Sequence, residues 1–169
     1  MLGLAKKIEF AANVSIIVVA ILLAVVLIRQ NLMVRTVYPE NSQNQDGHVG
    51  SKVSIPGINW NENKQTLLLA ISSNCRYCTE SAGFYKRLLS ETADTKIVAV
   101  MPQEAAQARQ YLTNHEIQLN DIKQLGLGSL GVTGTPTLIL VDTNGVVIGW
   151  WVGKLSPTQE AEVLEKLKT

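Results

Sequence analysis

The chain has 169 residues and a formal net charge of +1, enough for one ordinary domain plus extensions. Residues 1–35 hold four basic residues and one acid; the remainder holds eleven basic and thirteen acidic residues, a formal −2. That balance excludes nucleic acid as a partner, which needs a basic footprint, and no polybasic tract is present for docking on anionic lipid.

From Phe10 to Ile28 only Asn13 and Ser15 interrupt an apolar run. Its length approaches the roughly twenty residues that span a bilayer core, and it shows no polar face. The run ends Leu27-Ile28-Arg29-Gln30 with no small-residue cleavage site, so an uncleaved anchor over 10–28 is expected rather than a signal peptide. Lys6 and Lys7 precede it, Arg29 and Arg35 follow it, and the positive-inside balance is nearly even. Residues 29–51 read as a linker, most clearly the polar stretch 41–51, where His48 is expected as a solvated side chain.

A domain follows over 52–169. Val53 to Ile55 is expected as a short edge strand closed by Pro56-Gly57. Thr66 to Ile71 is an apolar run of strand length, as in a strand buried on both faces. Thr79 to Glu91 reads as a helix with Phe84, Tyr85 and Leu88 inward. Lys96 to Met101 is a second buried strand stopped by Pro102, and Glu104 to Asn114 a helix rich in Ala and Gln. The glycines of 126–134 mark a loop. Thr137 to Asp142 is a third strand, joined by an Asn144-Gly145 turn to an antiparallel partner over 146–152. Trp150 and Trp151 fall on opposite faces of that strand, one expected in the core and the other exposed. Ser156, Pro157 and Gln159 announce a capped last helix with Val163, Leu164 and Leu167 inward. Strands alternating with helices and closing in a hairpin imply an α/β sandwich with a central mixed β-sheet.

The chemistry concentrates at Cys75-Arg76-Tyr77-Cys78, which holds the only two cysteines. The pair sits between a strand and a helix. A cysteine there faces unpaired backbone N–H groups and the positive end of the helix dipole, both of which favour the thiolate. A second cysteine one turn later resolves a mixed disulfide. Three plainer readings compete. A structural bridge closing so short a loop stabilises by only about 2 kcal/mol. An inert buried pair conflicts with the polar flanks Ser72, Ser73, Asn74 and Arg76. A metal site needs about four ligands, and His48 and His115 are scattered, so no metal and no cofactor are expected. An anchored dithiol domain is most useful on the oxidising side, which places the N-terminus (1–9) in the cytoplasm and the domain in the periplasmic or extracytoplasmic space of a single-pass protein.

Further along lies Gly131-Val-Thr-Gly-Thr-Pro-Thr137, then the hairpin and the capped helix. This order of features resembles a thioredoxin fold over roughly 50–169, and with the anchor it is most similar to the extracytoplasmic TlpA/ResA-type redoxins. The resemblance implies a cis Thr135–Pro136 bond lying against the cysteines, with Thr135 and Pro136 receiving substrate backbone. It implies Cys75 as the exposed attacking thiol and Cys78 as the buried resolving one. Arg76 and Tyr77 would face the substrate, or be a solvated arginine and a packing tyrosine. Three departures stand out. Asn74 occupies the usual Trp position, Leu69 that of an acid in the strand, and Ser81 that of a Glu three residues after the second cysteine. Glu80 is the candidate proton acceptor; an ordinary first-turn helix acid is the alternative. The implied activity is thiol–disulfide exchange with extracytoplasmic protein thiols and disulfides, in the reducing direction, as in cytochrome c maturation, with a membrane redox donor or acceptor.

Other classes fit less well. A peroxiredoxin-like peroxidase resembles Pro-x-x-x-Thr-x-x-Cys; Ser72 matches but Leu68 replaces the proline. A Sco-like copper assembly factor resembles Cys-x-x-x-Cys plus a distal His; the spacing is one residue short and His115 precedes the proline loop. A non-catalytic interaction domain on the same scaffold is opposed by the intact cysteines.

Overall fold

The computed structural model describes residues 17, 19, 21–23, 48–92 and 95–168. The chain divides into two units, Met1–Asn41 and Ser42–Thr169. In the first, Ile17, Val19, Ile21, Leu22 and Leu23 are helical and exposed. Most of the expected anchor at 10–28 lies outside the described residues, and among those described no helix is long and apolar enough to cross a membrane.

The second unit is built on three strands whose side chains are apolar on both faces. They are β1 (Gln65–Ala70), β2 (Lys96–Met101) and β4 (Thr137–Asp142), and almost every residue in them is buried. Such runs satisfy their backbone only between neighbours and their side chains only between two covering layers. With β3 (Ile122–Gln124) and β5 (Val147–Val152) they form a sheet in the order β3-β2-β1-β4-β5. The β1–β2 and β2–β3 pairs are parallel, and β1–β4 and β4–β5 antiparallel, so the sheet is mixed as expected. The edge strand β3 was not anticipated. Three residues, Ile-Lys-Gln, are too few to show a period.

Four helices follow from local signals. Two are α1 (Arg76–Glu80) and α2 (Ala82–Glu91), where one helix was expected. They part at Ser81, whose Oγ donates to the Tyr77 carbonyl at 2.8 Å, a back-bond that competes with helical pairing. Then come α3 (Ala105–Asn114) and α4 (Pro157–Lys168). The expected capping box is present at the start of α4. The Ser156 N–H donates to Gln159 Oε1 at 3.0 Å and the Gln159 N–H to Ser156 Oγ at 3.4 Å. Val163, Leu164 and Leu167 are buried, as are Phe84, Tyr85 and Leu88 on α2.

Period-two alternation sends alternate residues of each strand into two separate cores. One core holds Leu67, Leu69, Ala99, Leu138, Leu140 and Trp151 beneath the helices, together with Cys78. The other holds Leu68, Ala70, Val98, Val100, Ile139 and Trp150, and its cover is irregular chain. That cover comes from Val53, Ile55, Ile58 and Trp60 and from a 3-10 turn, Leu127–Leu130, within the expected glycine loop.

Three expectations are corrected here. Val53 to Ile55 is not a strand; an isolated bridge joins Lys52 to Val146 instead, and Pro56 breaks any continuation. Both tryptophans are buried, Trp150 at 4% exposure and Trp151 at 2%, because the second face is covered too. His48 is not a solvated linker side chain. Its ring stacks on Trp150 with centroids 4.0 Å apart, and the Gly50 N–H donates to the Val147 carbonyl at 2.8 Å. Gly131 makes the stack possible. Its φ is +74°, and a Cβ there would meet His48 Cε1 at 2.8 Å.

Candidate active site

Strand β1 delivers the chain to Ile71, whose N–H donates to the Val100 carbonyl at 3.1 Å. The chain then turns through 72–74. The Cys75 N–H donates to the Ser72 carbonyl at 3.2 Å, and Gln103 Nε2 donates to Ser72 Oγ at 2.8 Å, fixing the turn to the loop after β2. Cys75 is the N-cap of α1, with extended backbone angles of φ −98° and ψ 112°.

At that cap the Cys78 N–H donates to Cys75 Sγ at 3.0 Å. An otherwise unpaired helix N–H therefore points at the first sulfur, and when the pair is reduced it favours negative charge there. The two cysteines form a disulfide with Cα atoms 5.2 Å apart. They are unequal in access. Cys75 is half-buried, whereas Cys78 is fully buried in the helix-covered core.

The proline loop closes the other side. Thr135–Pro136 is cis, and Cys75 Sγ lies 3.2 Å from the Thr135 carbonyl oxygen across sixty residues of sequence. The loop is braced by Thr137 Oγ1 donating to the Gly134 carbonyl and by the Gly153 N–H donating to the Pro136 carbonyl, both at 2.7 Å. Cys75, Cys78, Thr135 and Pro136 are thus brought together.

The remaining expected site residues line the outer rim. Tyr77 is 57% exposed. The Arg76 side chain is 87% exposed, and its Nε donates to Glu80 Oε1 at 2.7 Å. Lys154 Nζ donates to the other Glu80 oxygen at 2.9 Å, tying α1 to the segment before α4. The Lys154 and then the Arg76 hydrogen bonds hold the Glu80 carboxyl below the ordinary carboxylate range. A carboxylate so held is a weak proton acceptor.

Among the described residues no buried carboxylate stands behind Cys78. Leu69 is packed in the core at 1% exposure, and Ser81 is spent on its back-bond to Tyr77. Among the described residues the buried polar side chains are Thr66, Ser81, Thr92 and Thr137. Burial also pushes the Tyr85 and Tyr111 hydroxyls up, so both stay neutral. His115 lies at the end of α3, half-buried, with its ring edge-on to Tyr111 at 4.7 Å. Among the described residues no three His, Cys, Asp or Glu side chains converge to hold a metal ion.

Sequence reasoning missed Lys154, Gln103 and the His48–Trp150 stack. Lys154 and Gln103 meet their partners only through tertiary contacts, and no local pattern marks either.

The thioredoxin-like domain family matches the chain over residues 60–168. No curated protein matches it. Among solved structures it is similar to the thioredoxin domain of a thiol-disulfide oxidoreductase from Bacteroides vulgatus. Identity there is 17% and the TM-score 0.57, over 72% of this chain and 98% of that one. It is similar to StoA from Bacillus subtilis at 16% identity and a TM-score of 0.52, over 70% of this chain and 90% of that one. It is also similar to the exposed lipoprotein thioredoxin Etrx1 from Streptococcus pneumoniae at 20% identity and a TM-score of 0.52, covering 64% and 86%. At these identities the likeness is one of fold.

Proposed function

The chain belongs to the thioredoxin-like domain family, and from that premise we propose that it is a membrane-anchored, extracytoplasmic reductant of protein disulfides working through Cys75 and Cys78. The activity class is thiol–disulfide oxidoreductase. The observation that carries the proposal is the asymmetry of the pair: a half-buried Cys75 sulfur that accepts a helix N–H at 3.0 Å, above a fully buried Cys78.

In the reduced protein the Cys75 thiolate attacks one sulfur of a substrate disulfide. A mixed disulfide forms and the substrate's other sulfur leaves as a thiolate. Cys78 then gives up its proton and attacks Cys75 Sγ, which releases the second substrate thiol. Two electrons pass to the substrate, and the protein is left with the Cys75–Cys78 disulfide. The departing substrate thiolates or solvent take up the protons, because the Lys154 and Arg76 hydrogen bonds lower the Glu80 pKa and weaken it as a base. Thr135 and Pro136 flank the attacked bond, and Arg76 and Tyr77 form the exposed rim that a partner protein meets. A membrane dithiol donor resets the couple.

The nineteen-residue run 10–28 supports a single-pass anchor, with 1–9 in the cytoplasm and the domain outside. Because Cys75 and Cys78 are the only cysteines, topology has a direct readout: after mild reduction of intact cells, a membrane-impermeant maleimide labels the chain if the domain is extracytoplasmic. Apocytochrome c is the substrate class that the TlpA/ResA resemblance puts forward. The mechanism has its own test. Cys78→Ser, pre-reduced and mixed with a protein disulfide, accumulates a mixed disulfide at Cys75. A Cys75→Ser protein that still catalyses exchange sinks the proposal.

A further inference from the structure

Beside Cys75 lies a cleft that the exchange chemistry does not use. One wall is the turn that leads into the nucleophile, Ser73 and Asn74; the other is α3 and the loop before it, with Gln103, Gln107, Gln110 and Asn114. Tyr111 and His115 complete the lining, and no Asp, Glu, Lys or Arg side chain takes part. Arg109 is on the same helix but outside the cleft.

The plain reading is a polar helix face kept soluble. Three features go beyond it. First, five carboxamides converge in one place: Asn74, Gln103, Gln107, Gln110 and Asn114. Each offers two donors and an acceptor, the same set that an extended peptide presents as alternating C=O and N–H groups. Second, Gln107, Gln110 and Asn114 recur at helical spacing on one face of α3, a row about 10 Å long at 1.5 Å per residue. That matches about three residues of extended chain. Third, the cleft is tied to the redox site. Gln103 Nε2 holds Ser72 Oγ at 2.8 Å, and the Cys75 N–H is held by the Ser72 carbonyl at 3.2 Å. A polypeptide attacked at Cys75 has chain on both sides of its cysteine. The Thr135 carbonyl oxygen stands 3.2 Å from the sulfur, and Asn74, next to Cys75 in the chain, lines the cleft.

We propose that this carboxamide-lined cleft is a binding subsite for the substrate polypeptide, reading an extended, uncharged segment next to the target cysteine through hydrogen bonds. The inference rests on exchange at Cys75 and adds to it a preference: polypeptide over small disulfides, and uncharged polar flanks over apolar or charged ones.

Gln107 and Gln110 are both exposed, and Ala is the best helix former, so the double variant Gln107→Ala/Gln110→Ala keeps α3 intact. The test is single-turnover oxidation of the pre-reduced full-length protein, followed by tryptophan fluorescence. Two probes are compared: an uncharged Asn/Ser/Thr-rich peptide closed by one disulfide, and bis(2-hydroxyethyl) disulfide, which carries no peptide groups for the cleft to read. The expected result is that the double variant lowers the peptide-to-small-disulfide ratio of second-order rate constants about tenfold, through a raised half-saturating peptide concentration and an unchanged limiting rate. An unchanged ratio overturns the inference, whether both rates stay the same or both fall together. Failure of the unsubstituted protein to react with either probe would instead overturn the exchange reading itself, so the two failures are distinguishable.

Discussion

The two faces of the sheet are covered in different ways. Over Leu67, Leu69, Leu138 and Trp151 lie helices with regular apolar stripes, and Cys78 belongs to that layer. Over Leu68, Val98, Ile139 and Trp150 lies irregular chain from the segment before β1 and from the glycine-rich stretch that leads to Pro136. A helix holds its side chains in fixed directions, so the layer behind Cys78 is stiff. Irregular chain is held by scattered contacts, such as the His48 ring on Trp150 and the Gly50 N–H on the Val147 carbonyl, and it can resettle when one is lost. The resolving cysteine therefore rests on the stiff layer, while the loop that meets the attacking cysteine is continuous with the adaptable one.

Adjacent leucines of β1 test this contrast most strongly. Leu68 is 0% and Leu69 is 1% exposed, and they point to opposite layers. Large-to-small core substitutions cost about 2–5 kcal/mol, with the spread set by how well the site collapses. Leu69→Ala is expected near the upper end of that range and Leu68→Ala near the lower end, read by urea unfolding. Equal losses would break the comparison.

The irregular layer has its own probe in the pair His48 and Gly131. Gly131→Ala places a Cβ at positive φ and against the His48 ring, with an expected cost of about 1–2 kcal/mol. His48→Ala loses only the stack, about 1 kcal/mol. The double variant should cost less than the sum, since removing the ring relieves the collision. Strict additivity in chemical denaturation would mean that ring and glycine do not interact.

The smallest expected effect on stability lies at the rim. The folded Glu80 carboxyl is held below its ordinary value of 4.5 by Lys154 and Arg76. Its contribution is therefore complete above about that pH and is lost as pH falls through the lower folded value. Unfolding curves of the unsubstituted protein and Glu80→Gln should differ slightly at neutral pH and converge in acid. Glu80→Gln should also remove a negative charge one turn along the helix from Arg76, beside Cys75 in the chain, lowering the Cys75 thiol pKa in a thiolate absorbance titration. An unchanged titration would show that the ion pairs do not tune Cys75.

How much of this was legible in the sequence follows the same division. Lys96–Met101 and Thr137–Asp142 were readable to the residue because strands buried on both faces are unbroken apolar runs. The helical layer was readable from its stripes and from the Ser156–Gln159 cap. The irregular layer was not: the burial of Trp150 and the docking of His48 depend on a stack across a hundred positions, with no period to betray it. The site divides likewise. Cys75 and Cys78 are three residues apart and announce their own geometry. Glu80 reads as a free acid until Lys154, 74 residues away, is brought to it. The carboxamide cleft exists only once α3 packs beside the turn at 72–74.

The most direct test of the central claim is the reduction potential of the Cys75–Cys78 couple in the full-length protein, equilibrated against dithiothreitol and glutathione buffers. A reductant of protein disulfides is expected near the thioredoxin end of the scale, about −270 mV. A value near the strongly oxidising end, about −120 mV, would make the protein a disulfide donor and contradict the account.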